Sequence, residues 1–371
     1  MDKEIFYPDY TNSTLGIPNS ILAHYGAKPH HETLPVLDER LRRGYKNVVL
    51  LVLDGMGSDV LKAHAPNGFL MKHCTAQLSS VYPCTTTSAL TTFETGLSPI
   101  EHGWLGWSHY FQEIGKCVDL FSNKESGTDR PAAEGNIVWE SLGFKNLFSQ
   151  IQEADSNIEC CRVSPFGEYR SKTNEEVCNH IESLCKKDGR RYLYCYHFQP
   201  DMDMHDCGCY SERVKADIVL FDKQIEQLAS GLSDTLLIVT ADHGQTDSKR
   251  LCIGEYPEIR DCLSAPPSRE PRSLSFFIKD EYKAEFPAIW KKHFEDSFLF
   301  MSGEEAFESA YFGAGTPHPR ARGFFGDYVA LATGKIGIWY RNEKGEMKSF
   351  KSLHAGLTAD EMIVPLILIE R

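Results

Sequence analysis

Residues 48–53, Val-Val-Leu-Leu-Val-Leu, form an unbroken apolar run that ends at Asp54-Gly55. Short continuous runs of valine and leucine predict a strand buried on both faces, as in parallel sheets. Residues 76–83, 157–165, 190–198 and 235–244 also read as strands. Between these runs the spacing changes to that of helices, over 35–44, 57–65, 85–95, 139–154, 173–187 and 211–230. Thr173 and Glu176 have the spacing of a capping box, and Gly96 ends the helix that begins in Thr85-Thr86-Thr87. The alternation predicts an α/β fold, a doubly wound and mostly parallel sheet sandwiched by helices.

Residues 251–335 break this rhythm. Two loops rich in Pro, Gly and Arg, 265–273 and 314–327, flank a strand-like Ser-Leu-Ser-Phe-Phe-Ile-Lys and a helical segment near 283–294. The pattern predicts a smaller inserted α+β lobe at 251–335 that overhangs a catalytic core made of 1–250 and 336–371. Residues 334–340 then return to a strand pattern.

Composition narrows the class of protein. At 371 residues the chain exceeds what one compact core usually needs. It is 42% hydrophobic and 25% charged, which argues against long disorder. A net charge of −13 disfavours binding to nucleic-acid polymers or anionic membrane. It leaves room for a small phosphate ester, because bound divalent cations would reverse the sign locally. No apolar stretch approaches the roughly 18–20 residues of a membrane helix. The first residues lack the apolar run of an export signal, so the expectation is a cytoplasmic protein with its 12 cysteines reduced. Oligomeric state is not legible.

The candidate chemistry sits just past the predicted strands, where open α/β sheets gather functional groups. Asp54 closes one run, although Asp-Gly is also an ordinary turn. Asp201 and His205 are spaced to share one face of a helical turn and grip one ion. Asp242 and His243 follow another strand, with Gly244 allowing a sharp turn. His354 lies near the C-terminus. Thr85, Thr86 and Thr87 open a helix whose N-terminus would hold a phosphate while a hydroxyl attacks it. Oxygen and imidazole donors in this number suit two divalent metal ions, zinc first and Mn2+, Fe2+ or Co2+ next. Cys207 and Cys209 are set aside as ligands, and His318, Arg320 and Arg322 read as a solvated basic loop rather than an anion site.

In order along the chain, Asp54-Gly, Pro83-Cys-Thr-Thr-Thr, Thr95-Gly-Leu-Ser-Pro-Ile-Glu-His-Gly, Asp201-Met-Asp-Met-His205, Ala241-Asp-His-Gly and Leu353-His-Ala-Gly resemble the alkaline phosphatase superfamily. The nearest branch is the nucleotide pyrophosphatase/phosphodiesterase, or type I phosphodiesterase, group. The resemblance implies two zinc sites, one from Asp54, Asp242, His243 and the nucleophile, the other from Asp201, His205 and His354. Counting from Pro83 and back from Thr95 gives Thr86 as nucleophile, with Thr85 the alternative. The implied activity is hydrolysis of phosphoric esters through a covalent phosphothreonine. A phosphonate hydrolase, a phosphomonoesterase or a non-catalytic binding protein of the same fold are the alternatives. Trp107 stands where this branch has an Asn that holds a phosphoryl oxygen, so the substrate pocket is expected to differ.

Overall fold

The computed structural model describes residues 5–340, 345–346 and 348–371. Its central sheet has seven strands, in the order Cys74–Ser79, Ile363–Glu370, Thr235–Thr240, Asn47–Leu53, Arg191–His197, Glu159–Ser164, Tyr169–Arg170. Only Ile363–Glu370 runs against the rest. Asn47–Leu53 lies near the middle and pairs in parallel with Arg191–His197 and Thr235–Thr240. All three are buried along their whole length. That explains their continuous apolar sequence, since neither face meets water.

Ile363–Glu370 contains Pro365, which cannot donate to a ladder. The strand pairs with Cys74–Ser79 through residues 363–367 and with Thr235–Thr240 through 367–370. Pro365 therefore lies where only one neighbour is paired, with a register shift just beyond it.

The helices divide into two groups that pack among themselves. One contains Ser58–His64, Phe69–Lys72, Asn174–Cys185 and Glu212–Gly231, and the other Gly16–His24, Thr86–Thr95 and Leu147–Ala154. This is the predicted sandwich, an alkaline phosphatase-like α/β fold. The capping box forms, with Thr173 and Glu176 each satisfying the other's backbone N–H. Gly96 adopts φ 79° and ends Thr86–Thr95. The single helix expected over 139–154 is two, Ile137–Leu142 and Leu147–Ala154. Gly143 is extended at the break, and Asn146 caps the second helix by accepting from the Ser149 N–H.

A second, antiparallel sheet also has seven strands, in the order Phe298–Ser302, Tyr328–Ala332, Ser273–Phe276, Ser268–Glu270, Ser108–Phe111, Lys116–Asp119, Lys124–Glu125. Three of these come from 108–125, ahead of the 251–335 segment, and join it at one bridge between Arg269 and Ser108. Their turns at 112–115 and 120–123 are too short to show which sheet they serve. Ile336–Trp339 pairs with Lys249–Cys252 in a separate two-stranded sheet.

The two sheets are tied by an ion pair with no exposed surface on either side chain. Arg272 donates through Nε and Nη2 to Glu361, each at 2.7 Å, and through Nη1 to the carbonyls of Gly334 and Ile336. Glu361 also accepts from the Gly356 N–H and the Thr358 hydroxyl. A buried pair with all its hydrogen bonds made is costly to break from one side, because the remaining charge is stranded. Arg272→Met is expected to destabilise the protein by about 3–5 kcal/mol in denaturant unfolding, and Glu361→Gln is expected to destabilise it as well, because it strands the buried Arg272 guanidinium.

Candidate metal centre and nucleophile

Three adjacent parallel strands deliver the carboxylates. Asp54 directly follows Asn47–Leu53, and Asp242 lies two residues beyond Thr235–Thr240. Asp201 opens the helix Asp201–Cys207 after Arg191–His197. The Asp54 N–H donates to the His197 carbonyl and the Asp201 N–H to the Asp54 carbonyl, which fixes the loop ends side by side.

Each side chain is held by bonds that leave one atom free. Asp242 Oδ1 accepts from the N–H groups of Gly55 and His243, each at 3.0 Å, while Asp242 Oδ2 has no hydrogen-bond partner. Asp54 Oδ2 accepts from the Tyr196 hydroxyl at 2.5 Å, while Oδ1 is likewise unpartnered. His243 Nδ1 is 3.0 Å from the Gly244 carbonyl, an acceptor, so Nδ1 carries a proton and Nε2 faces the carboxylates. That Nε2 lies 3.3 Å from Asp54 Oδ1, 3.4 Å from Asp242 Oδ2 and 3.2 Å from Thr86 Oγ1. Thr86 Oγ1 is also 3.5 Å from Asp54 Oδ2.

The second group is built the same way. His205 Nδ1 donates to the Ser352 carbonyl at 2.7 Å, leaving Nε2 3.4 Å from Asp201 Oδ2. His354 Nε2 is 3.9 Å from Asp201 Oδ1, and its ring stacks on His243 at 4.0 Å. Gln245 donates to Asp201 Oδ1 and accepts from the Ser352 hydroxyl at 2.6 Å, locking carboxylate and imidazole into one frame. Donor atoms of Asp54, Asp242 and His243 lie within 4.8 Å of one another, and so do those of Asp201, His243 and His354. His243 thus stands between the groups, and His205 reaches the second through Asp201.

Burial, then Asp242 and Asp201, raises Asp54 well above the usual carboxylate range. Burial likewise pushes Asp201 up to about 7. Desolvation lowers His205 to about 4 and holds His354 well below its ordinary value, with His243 and His205 adding to the effect on His354. Neutral imidazoles are the ligating form. Crowded carboxylates with unpartnered, water-excluded oxygens lack a positive charge. The donor set therefore fits divalent cations.

Gly244 is explained by close packing rather than by its turn. A Cβ there would lie 2.0 Å from the Asp360 carbonyl oxygen. The two candidate threonines separate cleanly. Thr85 caps the helix, and its hydroxyl donates to Glu270 Oε1 at 2.6 Å, away from the histidines. Glu270 Oε1 also accepts from the Trp107 N–H at 2.7 Å, and burial pushes this carboxyl up to about 7. Glu270 was not foreseen because it lies in the second sheet, beside Arg269 at φ 78°, with no motif around it. Gln245, Ser352 and Tyr196 were also missed, although each lies within four residues of a predicted ligand or its strand end. Among the described residues no cysteine joins either metal group. Arg320 pairs with Glu113 and Arg322 with Glu304, as expected of a solvated basic loop.

No curated protein matches this chain in sequence. Over 87% of the chain, the fold matches human ectonucleotide pyrophosphatase/phosphodiesterase 5 with TM-score 0.66, 18% identity and 87% of that chain covered. The murine protein of that name matches with TM-score 0.64 at 17% identity, covering 87% of this chain and 88% of that one. An inactive murine form in complex with AMP matches with TM-score 0.62 at 17% identity, over 86% of this chain and 87% of that one. Residues 48–265 match the family described as type I phosphodiesterase / nucleotide pyrophosphatase, a span that holds all the carboxylates and Thr86. The chain belongs to this metal-dependent family of hydrolases.

Proposed function

We propose that the protein hydrolyses small phosphoric esters by two displacements at phosphorus, with Thr86 as the covalent nucleophile. The observation that carries this reading is the separation of the threonines. Thr86 Oγ1 lies against His243 Nε2 and Asp54, whereas Thr85 is committed to Glu270. Two divalent cations, zinc best suited to the mixed donors, would be held by Asp54, Asp242, His243 and Thr86 and by Asp201, His205 and His354, and would supply Lewis-acid charge and a lowered pKa for hydroxyl and water.

Thr86 stands at the first position of the helix Thr86–Thr95, where the backbone N–H groups have no intrahelical acceptor. These groups and the helix dipole favour the negative charge that develops on non-bridging oxygens. In the first displacement the Thr86 Oγ–P bond forms as the bond to the leaving oxygen breaks. In the second, water forms a new P–O bond on the opposite side and releases Thr86. Two inversions give net retention at phosphorus. Gln245 and Ser352 keep Asp201 and His205 aligned throughout. The AMP complex of the murine relative supports a nucleotide-type ester as substrate.

Thr86→Ala is expected to lower kcat on bis-p-nitrophenyl phosphate by about 10³-fold or more, with Thr85→Val retaining most of the activity. Full activity in Thr86→Ala would remove the nucleophile assignment. Metal analysis should find about two divalent ions per chain, and chelation should abolish turnover until metal is restored. Gln245→Ala should weaken metal binding by about 10–100-fold, read by competition with a chromogenic chelator.

A further inference from the structure

We propose that Lys348 is a specificity-determining residue, contacting negative charge on the leaving group so that anhydrides and esters with an anionic departing group are preferred. This rests on the phosphoryl-transfer reading above. The Phe350 ring stacks on His205, with centroids 4.2 Å apart and planes 23° apart. The Lys348 ammonium lies 5.3 Å from the Phe350 centroid and 5.7 Å from that of Trp107. It therefore bridges from the ring that backs the second ligand group to the ring of Trp107, whose backbone N–H is held by Glu270 beside the nucleophile turn.

Three observations favour a substrate contact over an ordinary surface lysine. First, the chain has 52 acidic against 39 basic residues, so a cation without a carboxylate partner goes against its overall charge balance. Among the described residues, Lys348 has aromatic faces within range and no ion-pair partner. Second, its charge reaches the site. Burial raises Glu270 and Asp119, and Lys348 opposes the rise in both. Third, in-line displacement puts the leaving oxygen opposite Thr86, on the side of Asp201, His205 and His354, which is the side that Phe350 covers. The indole of Trp107 offers a flat apolar wall and one N–H, so it cannot replace an amide as a paired donor. A cation held against two rings supplies N–H donors and positive charge at a fixed place.

The test compares metal-loaded wild type, Lys348→Ala and Lys348→Arg on ATP, whose departing group is pyrophosphate, and on bis-p-nitrophenyl phosphate. Metal content and thermal stability serve as folding controls. In Lys348→Ala the ratio of kcat/KM for ATP to that for bis-p-nitrophenyl phosphate should fall by about tenfold or more, and Lys348→Arg should restore most of it. Calorimetric binding of α,β-methylene-ADP to the Thr86→Ala protein should weaken by a similar factor when Lys348→Ala is added. An unchanged ratio, or an equal loss on both substrates, overturns the proposal. If wild type turns over neither substrate, the phosphoryl-transfer reading fails. The binding comparison then decides for Lys348, with equal affinities in both proteins counting against it.

Discussion

The carboxylates of Asp54, Asp201 and Asp242 share one volume from which water is largely excluded, and their mutual repulsion shapes everything around them. Burial and like charge raise Asp54 well above its ordinary range. Such a cluster is costly unless cations enter it or unless every oxygen finds a donor. Here the surrounding donors satisfy only half of the need. Two amides occupy Asp242 Oδ1 and a tyrosine hydroxyl occupies Asp54 Oδ2, while the other oxygen of each stays bare. The fold thus spends its rigidity on holding unmet electrostatic demand in place, as expected of a metal-dependent hydrolase.

That rigidity comes from the parallel strands on one side and from the second sheet on the other. Three adjacent strands end together because their registers are fixed by full burial on both faces. The second sheet reaches back twice. Arg272 engages Glu361 behind Gly356, next to the loop that carries His354. Glu270 takes the Thr85 hydroxyl and the Trp107 N–H on a single oxygen. The second sheet therefore holds the turn that aims Thr86 and the backbone of Trp107.

The legible parts of the sequence were those where a local rule acts alone. Continuous apolar runs marked the buried strands, Thr173 and Glu176 marked a helix start, and Asp201 with His205 marked one helical face. The break at Gly143 was hidden because the apolar period continues across it, and only the Asn146 cap shows that a new helix begins. Residues 108–125 were not read as strands, because short hairpins carry no mark of the sheet they join.

The sequence by itself determined the α/β alternation, the candidate ligand residues and the family. Strand burial, helix caps and the spacing of chemically hard donors are properties of neighbouring residues, and neighbours are what a sequence records. Motif counting favoured Thr86 over Thr85, and only the tertiary structure placed Thr86 against His243 and Asp54 while Glu270, 185 residues away, takes the Thr85 hydroxyl. The tertiary structure also decided that His243 stands between the two groups of ligands, and that Lys348 lies over Trp107 and Phe350. Such contacts join segments far apart in the chain, where direction and distance are set by packing and no local pattern encodes them.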